Sequence, residues 1–329
     1  MAGRGSLEVF LEGEWPEQSL DLLSSLLDEG VTLTTGSISG NCSVLVCGRP
    51  GRELLEAAPG LSHLLIPWAG LPESTRELMM EYPGIAVHNI HHNAAFAAEL
   101  AVGLMIAAGR LILSSDRALR MGDWSYRYRQ QHTMSVNGSR VLLLGYGHVG
   151  RAVGRIAKAM GACTKAIRRD PSGEGDQGTL PVHPPEALHE LLPDTDFLVV
   201  ALPLTQRTRG VIGEEELAMM HSRSVLVNVG RGQLVQQGPL YRSLAEGRIG
   251  AAGLDVWYRY PSSQQERNST PPADFDFQLL ENVVMTPHIG GGFGSPSLER
   301  SRCRHLAASL NSLARHGYMP DRVDLDKGY

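Results

Sequence analysis

Residues 141–150 have the sequence VLLLGYGHVG, in which an all-apolar run leads directly into glycines spaced as GxGxxG. The next ten residues, 151–160, have a helical pattern, and Cys163–Ile167 is predicted to be a further strand. A glycine-rich turn between a buried strand and a helix, with another strand behind, is the context in which this spacing indicates a dinucleotide site. The stretch therefore predicts a Rossmann domain. The alternative is a glycine-rich turn that holds no ligand.

Each glycine of this turn has a physical role in such a site. Gly145 allows the tight turn, Gly147 lets a pyrophosphate approach the backbone, and Gly150 lets the helix pack closely on the strand. The pyrophosphate then meets the unsatisfied N–H groups at the start of the helix.

The end of the following strand bears on which cofactor binds. An acidic residue there would bind the ribose 2′-hydroxyl of NAD, whereas this chain has Arg168 and Arg169 followed by Asp170. Two guanidinium groups suit a 2′-phosphate, which they bind by charge-assisted and often bidentate hydrogen bonds. The sequence therefore favours NADP(H) over NAD(H). The alternative is that an arginine only stacks on the adenine and that Asp170 binds the ribose.

Outward from this motif, the chain divides into two α/β regions. Short apolar runs alternate with amphipathic segments in the first hundred residues and again after Val141, which predicts two parallel sheets with helices on their faces. A helical pattern from Ala94 to Met121 connects them. We predict two Rossmann- or flavodoxin-like domains, with the cofactor domain (104–293) inserted into a split substrate-binding domain (1–103 and 294–329).

Composition excludes several classes of partner. The net charge of −5 and the pI near 6.2 argue against nucleic acid and anionic membranes. The four cysteines form no CxxC pair or His/Cys cluster, so we expect no metal site. The acidic N-terminal stretch and the lack of a long apolar run predict a cytoplasmic protein without a membrane segment.

Polar side chains follow three further apolar strands. Arg231 comes just after one of them, Asp255 after the next, and His288 after the last. Ligands of doubly wound sheets bind at the carboxyl ends of the strands, so all three side chains are predicted to line one crevice.

These motifs resemble those of the D-isomer-specific 2-hydroxyacid dehydrogenases over nearly the whole chain. The motifs that carry the resemblance are GYGHVG (145–150), LPLTQRTRGVIG (202–213), LVNVGRG (226–232), GLDVW (253–257), TPHIGG (286–291) and, more weakly, PWAGLP (67–72) and AAELAVGLM (97–105). The resemblance implies hydride transfer between nicotinamide C4 and C2 of a small 2-oxo or 2-hydroxy acid, such as glyoxylate or hydroxypyruvate. It also implies an active site in an interdomain cleft, and a homodimer formed through the cofactor domain.

The resemblance also implies roles for individual residues. Arg231 would bind the substrate carboxylate and 2-oxygen, and His288 would be the general acid in reduction and the base in oxidation. The backbone N–H groups of Ala69, Gly70 and Leu71 would take the substrate carboxylate, and Trp68 either lines that pocket or fills the core. The implied cofactor contacts, among which Asp255 holds the carboxamide, are Gly145, Gly147, His148, Val149, Gly150, Arg168, Arg169, Pro203, Thr208, Val229, Gly230, Asp255 and Gly290.

The chain departs from the family pattern at Tyr260. The family usually has a glutamate there, which pairs with the catalytic histidine and keeps it protonated. A tyrosine hydroxyl can orient the imidazole but supplies no charge, and Arg259, if it pointed inward, would lower the histidine pKa further. Tyr260 nevertheless stays among the catalytic candidates.

Three explanations of this replacement stay open. The first is a reductase of 2-oxo acids with a lower pH optimum. The second is a dehydrogenase that oxidises a substrate needing no proton transfer, as formate dehydrogenases do. The third is a catalytically weak nicotinamide-binding regulator that resembles the family's co-repressors. The retained Arg231 and His288 favour the first.

Overall fold

A computed structural model describes residues 6–128, 133–171, 180–292 and 294–328. The chain forms two compact units. The first unit extends to Asn93 and resumes at Gly292, and the second unit is Ala94–Gly291. Each unit is built on its own parallel sheet.

The first unit has a five-stranded parallel sheet in the order β2-β1-β3-β4-β5. Its strands are β1 (Leu7–Leu11), β2 (Val31–Thr34), β3 (Val44–Val46), β4 (His63–Ile66) and β5 (Ala86–Asn89). Its helices are α1 (Glu17–Leu26), α2 (Arg52–Glu56), α3 (Glu73–Met79) and α11 (Pro296–His316). One face of the sheet is covered by α1 and α11 through Leu23, Leu306 and Leu310, which are fully buried. The C-terminal helix therefore completes the core of the unit that begins the chain.

The second unit has a seven-stranded parallel sheet in the order β12-β11-β10-β9-β6-β7-β8. Its strands are β6 (Arg140–Leu144), β7 (Cys163–Ile167), β8 (Val182–His183), β9 (Phe197–Val200), β10 (Val225–Asn228), β11 (Ala251–Leu254) and β12 (Val283–Met285). Its α-helices are α4 (Ala94–Gly109), α5 (Ile112–Arg120), α6 (Ser125–Tyr128), α7 (His148–Ala159), α8 (Leu188–Leu191), α9 (Glu214–Met219) and α10 (Gln237–Ala245). The strand order reverses at β6, which lies between β7 and β9. Such a switch point opens a crevice at the carboxyl ends of the strands.

Helix α4 explains why the units divide at Asn93, ten residues before the boundary expected from the sequence. The helix packs on α7 and on β10 and β11 of the second unit. Packing is close enough that a Cβ on Gly253 would lie 2.8 Å from the Cβ of Leu104. The second boundary expected from the sequence follows residue 293, which lies outside the described residues. The observed division lies two residues earlier, between Gly291 and Gly292.

The single long helix predicted over Ala94–Met121 is wrong. The chain breaks between α4 and α5, where Leu111 has a left-handed φ of 52° and the two axes bend by 60°. Between Gly109, the last residue of α4, and Ile112, the first of α5, the sequence has no proline or further glycine that would predict this break. In the described part of the chain, no single helix is long and apolar enough to cross a membrane, and only the bent α4–α5 pair reaches that length and composition.

Candidate active site

The glycine turn after β6 is closely packed at two of its glycines and open at the third. A Cβ on Gly145, which has a φ of 109°, would lie 2.7 Å from the carbonyl oxygen of Ala201, and one on Gly150 would lie 2.1 Å from the oxygen of Gly145. A Cβ on Gly147 would meet no described atom within 4 Å. Helix α7 begins directly afterwards with His148 and Val149. The turn therefore has the shape of an anion cradle, with free space at Gly147 and helix N–H groups behind it.

Arg168 and Arg169 lie at the end of the neighbouring strand, at the same edge of the sheet. Ile167, the last residue of β7, pairs with Leu144, and its carbonyl accepts a hydrogen bond from Gly145 N at 3.1 Å. Arg168 is half-buried and Arg169 is exposed. The two guanidinium groups thus follow the strand next to the glycine turn, where the adenosine half of a dinucleotide would lie.

The loops after β9 and β10 meet the same edge. Thr208 Oγ1 donates to the carbonyl of Pro203 at 2.7 Å and accepts from Thr205 N at 2.8 Å, which fixes the loop after β9. A Cβ on Gly230 would lie 2.9 Å from the carbonyl oxygen of Leu202. The loop that carries Val229 and Gly230 therefore packs directly on the one that carries Pro203.

Arg231 is held at the end of β10 by the side chain of Asn228. Asn228 donates through Nδ2 to the carbonyl of Arg231 at 2.9 Å, and its Oδ1 accepts from Gly230 N at 3.1 Å. On the other side, a Cβ on Gly232 would lie 2.3 Å from the carbonyl oxygen of Trp257. The backbone at Arg231 is therefore fixed while its side chain stays exposed.

Asp255 shapes the loop that presents His288. Its buried carboxylate (2% exposed) accepts hydrogen bonds from Thr286 Oγ1 at 2.7 Å, Ile289 N at 2.8 Å and Gly290 N at 2.9 Å. Between these anchors His288 has a φ of 57°, in the left-handed region that most residues avoid. The contact of Asp255 with the nicotinamide carboxamide stays a prediction, because the observed partners of its carboxylate are in this loop.

Tyr260 lies beside His288 but directs its hydroxyl elsewhere. The two ring centroids are 5.6 Å apart, with the planes inclined by 55°. The Tyr260 hydroxyl accepts a hydrogen bond from Trp257 N at 3.1 Å. Arg259, the other side chain considered from the sequence, forms an ion pair with Asp274.

The electrostatics of His288 favour the neutral ring. Burial lowers the pKa of His288, the nearby charge of Arg231 lowers it further, and Asp255 partly opposes both. Within the described ranges, no carboxylate forms a hydrogen bond or ion pair with the imidazole. The structure thus brings Arg231, His288 and Tyr260 together, and among the residues it describes none supplies an acidic partner in place of the family's glutamate.

The remaining predicted site residues, Ala69, Gly70 and Leu71, belong to the first unit. The carbonyl of Ala69 accepts a hydrogen bond from the buried Asn89 Nδ2 at 2.8 Å. Trp68 is half-buried, and its indole lies directly against Gly48, where a Cβ would be 1.8 Å from the ring. This loop is therefore anchored at its start.

Three residues that support the site were not predicted: Asn228, Thr286 and Trp257. Trp257 is 4% exposed and donates through Nε1 to the carbonyl of Thr286 at 2.8 Å, so it helps Asp255 to hold the loop. Asn228 could have been suspected, because a polar residue that ends an apolar strand often hydrogen-bonds the turn that follows.

Comparison with known proteins shows which family the chain belongs to. Residues 102–290 match the family described as "D-isomer specific 2-hydroxyacid dehydrogenase, NAD binding domain". A glyoxylate reductase of Thermococcus gammatolerans is 34% identical over 204 residues, which are 60% of this chain and 58% of that protein. One of Thermococcus litoralis is 28% identical over 345 residues and covers 97% of both chains. The chain thus spans less than two thirds of the former relative and nearly all of the latter.

Solved structures show the same fold. A D-isomer specific 2-hydroxyacid dehydrogenase from Xanthobacter autotrophicus Py2, solved with NADPH and MES, superposes with a TM-score of 0.78 at 22% identity and covers 99% of this chain and 100% of that one. The family match covers more than half of the sequence and includes the glycine turn, Arg231, Asp255 and His288. The chain therefore belongs to the D-isomer specific 2-hydroxyacid dehydrogenase family.

Proposed function

We propose that this chain is an NAD(P)-dependent oxidoreductase that interconverts a small 2-oxo acid and the corresponding 2-hydroxy acid. The observation that carries the proposal is the proximity of Arg231 and His288. Their loops follow β10 and β12, on either side of β11, and the charge of Arg231 lowers the pKa of His288. A fixed cation beside a histidine that can exchange a proton matches what reduction of a 2-oxo acid requires.

When bound, the reduced nicotinamide supplies the hydride that reaches C2 of the substrate. Arg231 holds the carboxylate and the 2-oxygen through its planar fork of donors, which orients the carbonyl. His288, when protonated, gives its proton to the 2-oxygen as the hydride arrives, and the neutral ring takes it back in oxidation. That the backbone N–H groups of Ala69, Gly70 and Leu71 also bind the substrate carboxylate stays a prediction from the family resemblance.

The relatives support the substrate class. The two relatives described above are glyoxylate reductases, and we infer that glyoxylate and hydroxypyruvate are among the 2-oxo acids that this chain reduces. The test is an absorbance assay with NADPH and a panel of 2-oxo acids, from acidic to neutral pH. Arg231→Ala should abolish turnover, while Arg242→Ala, which only removes an exposed ion pair with Glu214, should not. A wild-type rate no higher than that of Arg231→Ala would exclude the enzyme activity.

NADP(H) is the proposed cofactor. Support comes from the two arginines that follow β7, where an NAD-selective chain would have a carboxylate. Arg168→Asp should reverse the preference from NADPH to NADH in kcat/KM, because it replaces a phosphate-binding cation by an anion. An unchanged preference would mean that the arginines do not select the cofactor.

A second candidate function is a nicotinamide-binding regulator with little or no turnover. The observation that favours it is the environment of His288, which lacks an acidic partner among the described residues and has a lowered pKa. The assay above distinguishes the two candidates when it is combined with titration of NADPH binding. Tight binding without turnover at any pH would favour the regulator.

We also propose a homodimer formed through the second unit. Five large apolar side chains within a stretch of 17 residues, on helices α5 and α6 and the connection between them, are exposed by 47% to 85%: Ile112, Leu119, Met121, Trp124 and Tyr128. Exposed patches of this kind mark protein interfaces. Light scattering of the wild type should give the mass of a dimer, and the double variant Met121→Asp, Trp124→Ser should give that of a monomer. A monomeric wild type would contradict the proposal.

A further inference from the structure

The guanidinium of Arg49 lies over the indole of Trp68, next to the loop proposed to bind the substrate carboxylate. The Cζ of Arg49 is 5.9 Å from the ring centroid, within the range of a cation–π contact. Arg49 follows β3 and Trp68 follows β4, and these neighbouring parallel strands end at the same edge of the sheet. The cation and the backbone N–H groups of Ala69–Leu71 therefore belong to one edge of the first unit.

The indole on which this cation rests is rigidly placed. The ring lies against Gly48, where any side chain would overlap it, and the carbonyl of Gly48 accepts a hydrogen bond at 2.9 Å from the buried hydroxyl of Thr75. The carbonyl of Ala69, the next residue after Trp68, is held by Asn89. The residues on both sides of the Trp68 indole are thus anchored, and the cation–π contact places the guanidinium of Arg49 over this fixed ring.

The charge of Arg49 is available for a ligand. The side chain is exposed, and in the ranges that the structure describes no carboxylate oxygen lies within ion-pair distance of it. Arg52, three residues later, is different: it pairs with both oxygens of Glu81, at 2.5 and 2.6 Å. A guanidinium that lies over an indole without an acidic partner, beside the amides proposed to bind the first carboxylate, is suited to a second anion.

We propose that Arg49 determines substrate specificity by binding a second anionic group, so that the preferred substrates are 2-oxo acids with a carboxylate or phosphate at the far end of the molecule. The inference rests on the proposed function, because it takes the N–H groups of Ala69–Leu71 as the site of the first carboxylate. The chemistry at C2 is unchanged. Only the part of the substrate that does not react contacts Arg49, and this contact lowers the barrier by using binding energy remote from the reacting atoms.

The experiment uses pairs of 2-oxo acids that differ mainly in the distal charge. Oxaloacetate is compared with 2-oxobutyrate, 2-oxoglutarate with 2-oxopentanoate, and phosphohydroxypyruvate with hydroxypyruvate, the last pair separating a phosphate from a carboxylate preference. Arg49→Met should lower kcat/KM for the anionic member of the preferred pair by about tenfold to a hundredfold, the range of a hydrogen bond to a charged group. The neutral member should be unaffected, and Arg52→Met should affect neither.

A binding measurement keeps this test separate from that of the proposed function. Calorimetric titration of the same acids into the protein saturated with oxidised cofactor forms a complex that cannot react. The anionic member should bind more tightly to the wild type than to Arg49→Met. Turnover without any effect of Arg49→Met on the anionic preference would overturn the inference and leave the proposed function standing. Absence of all turnover, with binding that still depends on Arg49, would exclude the proposed function and leave the role of Arg49 in anion binding standing.

Discussion

Tyr260 contacts His288 with its ring and not with its hydroxyl. The ring centroids are 5.6 Å apart, while the hydroxyl oxygen accepts a hydrogen bond from the backbone of Trp257. Burial raises the pKa of Tyr260, although the Trp257 hydrogen bond opposes this, so the phenol stays neutral near pH 7. A neutral ring cannot hold a proton on the imidazole as a carboxylate would.

The first prediction concerns the pH dependence of the two reaction directions. The pKa of His288 lies below its ordinary value of 6.5 because of burial and the charge of Arg231. Reduction consumes the proton of the imidazolium, so its kcat/KM should fall as pH rises through this lowered pKa. Oxidation requires the neutral ring and should gain over the same range. Steady-state rates in both directions across pH test this prediction. A kcat/KM for reduction that begins to fall only above pH 6.5 would contradict it.

The second prediction is a gain of activity in Tyr260→Glu. A carboxylate next to the imidazole favours the protonated ring and raises the pKa of His288. Reduction at neutral pH should increase by about tenfold, since each unit by which the pKa of a mostly deprotonated group rises increases its protonated fraction about tenfold. The pH profile of kcat/KM should move to higher pH.

Tyr260→Gln is the matched control for this prediction, because it has the size of glutamate without the charge. In Tyr260→Gln, kcat/KM for reduction should fall with rising pH over the same range as in the wild type. If Tyr260→Gln and Tyr260→Glu shift the profile equally, the charge is not the cause, and removal of the tyrosine ring is.

Much of the fold and the position of the site could be predicted because the signals are local. The apolar strands and the GxGxxG turn (145–150) follow from residue type and spacing, and the ends of β10 and β12 place Arg231 and His288 at one edge. The division at Asn93 could not be predicted, since it depends on which sheet α4 packs against.

The details of the site could not be predicted because they depend on the course of the loops. His288 has a left-handed backbone although it is not glycine. The residue types in this loop therefore do not predict the turn that the hydrogen bonds of Asp255 stabilise. The direction of the Tyr260 hydroxyl depends on a backbone N–H group, at Trp257, which every residue except proline has. Such contacts leave no pattern in the sequence.

The third prediction tests whether Asp255 positions His288. Its carboxylate accepts three hydrogen bonds from the 286–290 loop. In Asp255→Asn an amide NH₂ would replace one acceptor and face these donors, which should destabilise the protein by about 1–3 kcal/mol and lower kcat by at least about tenfold through misplacement of His288. Thermal unfolding and turnover are measured together.

Asp274→Asn is the control, because Asp274 is an exposed partner of Arg259 in the same unit. It should leave both the melting temperature and kcat close to those of the wild type. Full activity of Asp255→Asn would show that the loop keeps its shape without the carboxylate, and that Asp255 does not position the histidine.

The fourth prediction separates the two uses of glycine in the 145–150 turn. A Cβ at Gly150 would lie 2.1 Å from the carbonyl oxygen of Gly145, whereas one at Gly147 would meet nothing within 4 Å. Gly150→Ala should therefore lower the free energy of unfolding by about 1–3 kcal/mol through overpacking, with or without cofactor. Gly147→Val should leave the unfolding of the cofactor-free protein nearly unchanged but weaken NADPH binding by at least about tenfold, because its side chain occupies the space that the pyrophosphate needs. Chemical denaturation measures the free energy of unfolding, and fluorescence titration measures the NADPH affinity. Equal NADPH affinity in Gly147→Val and the wild type would exclude this turn as the pyrophosphate site.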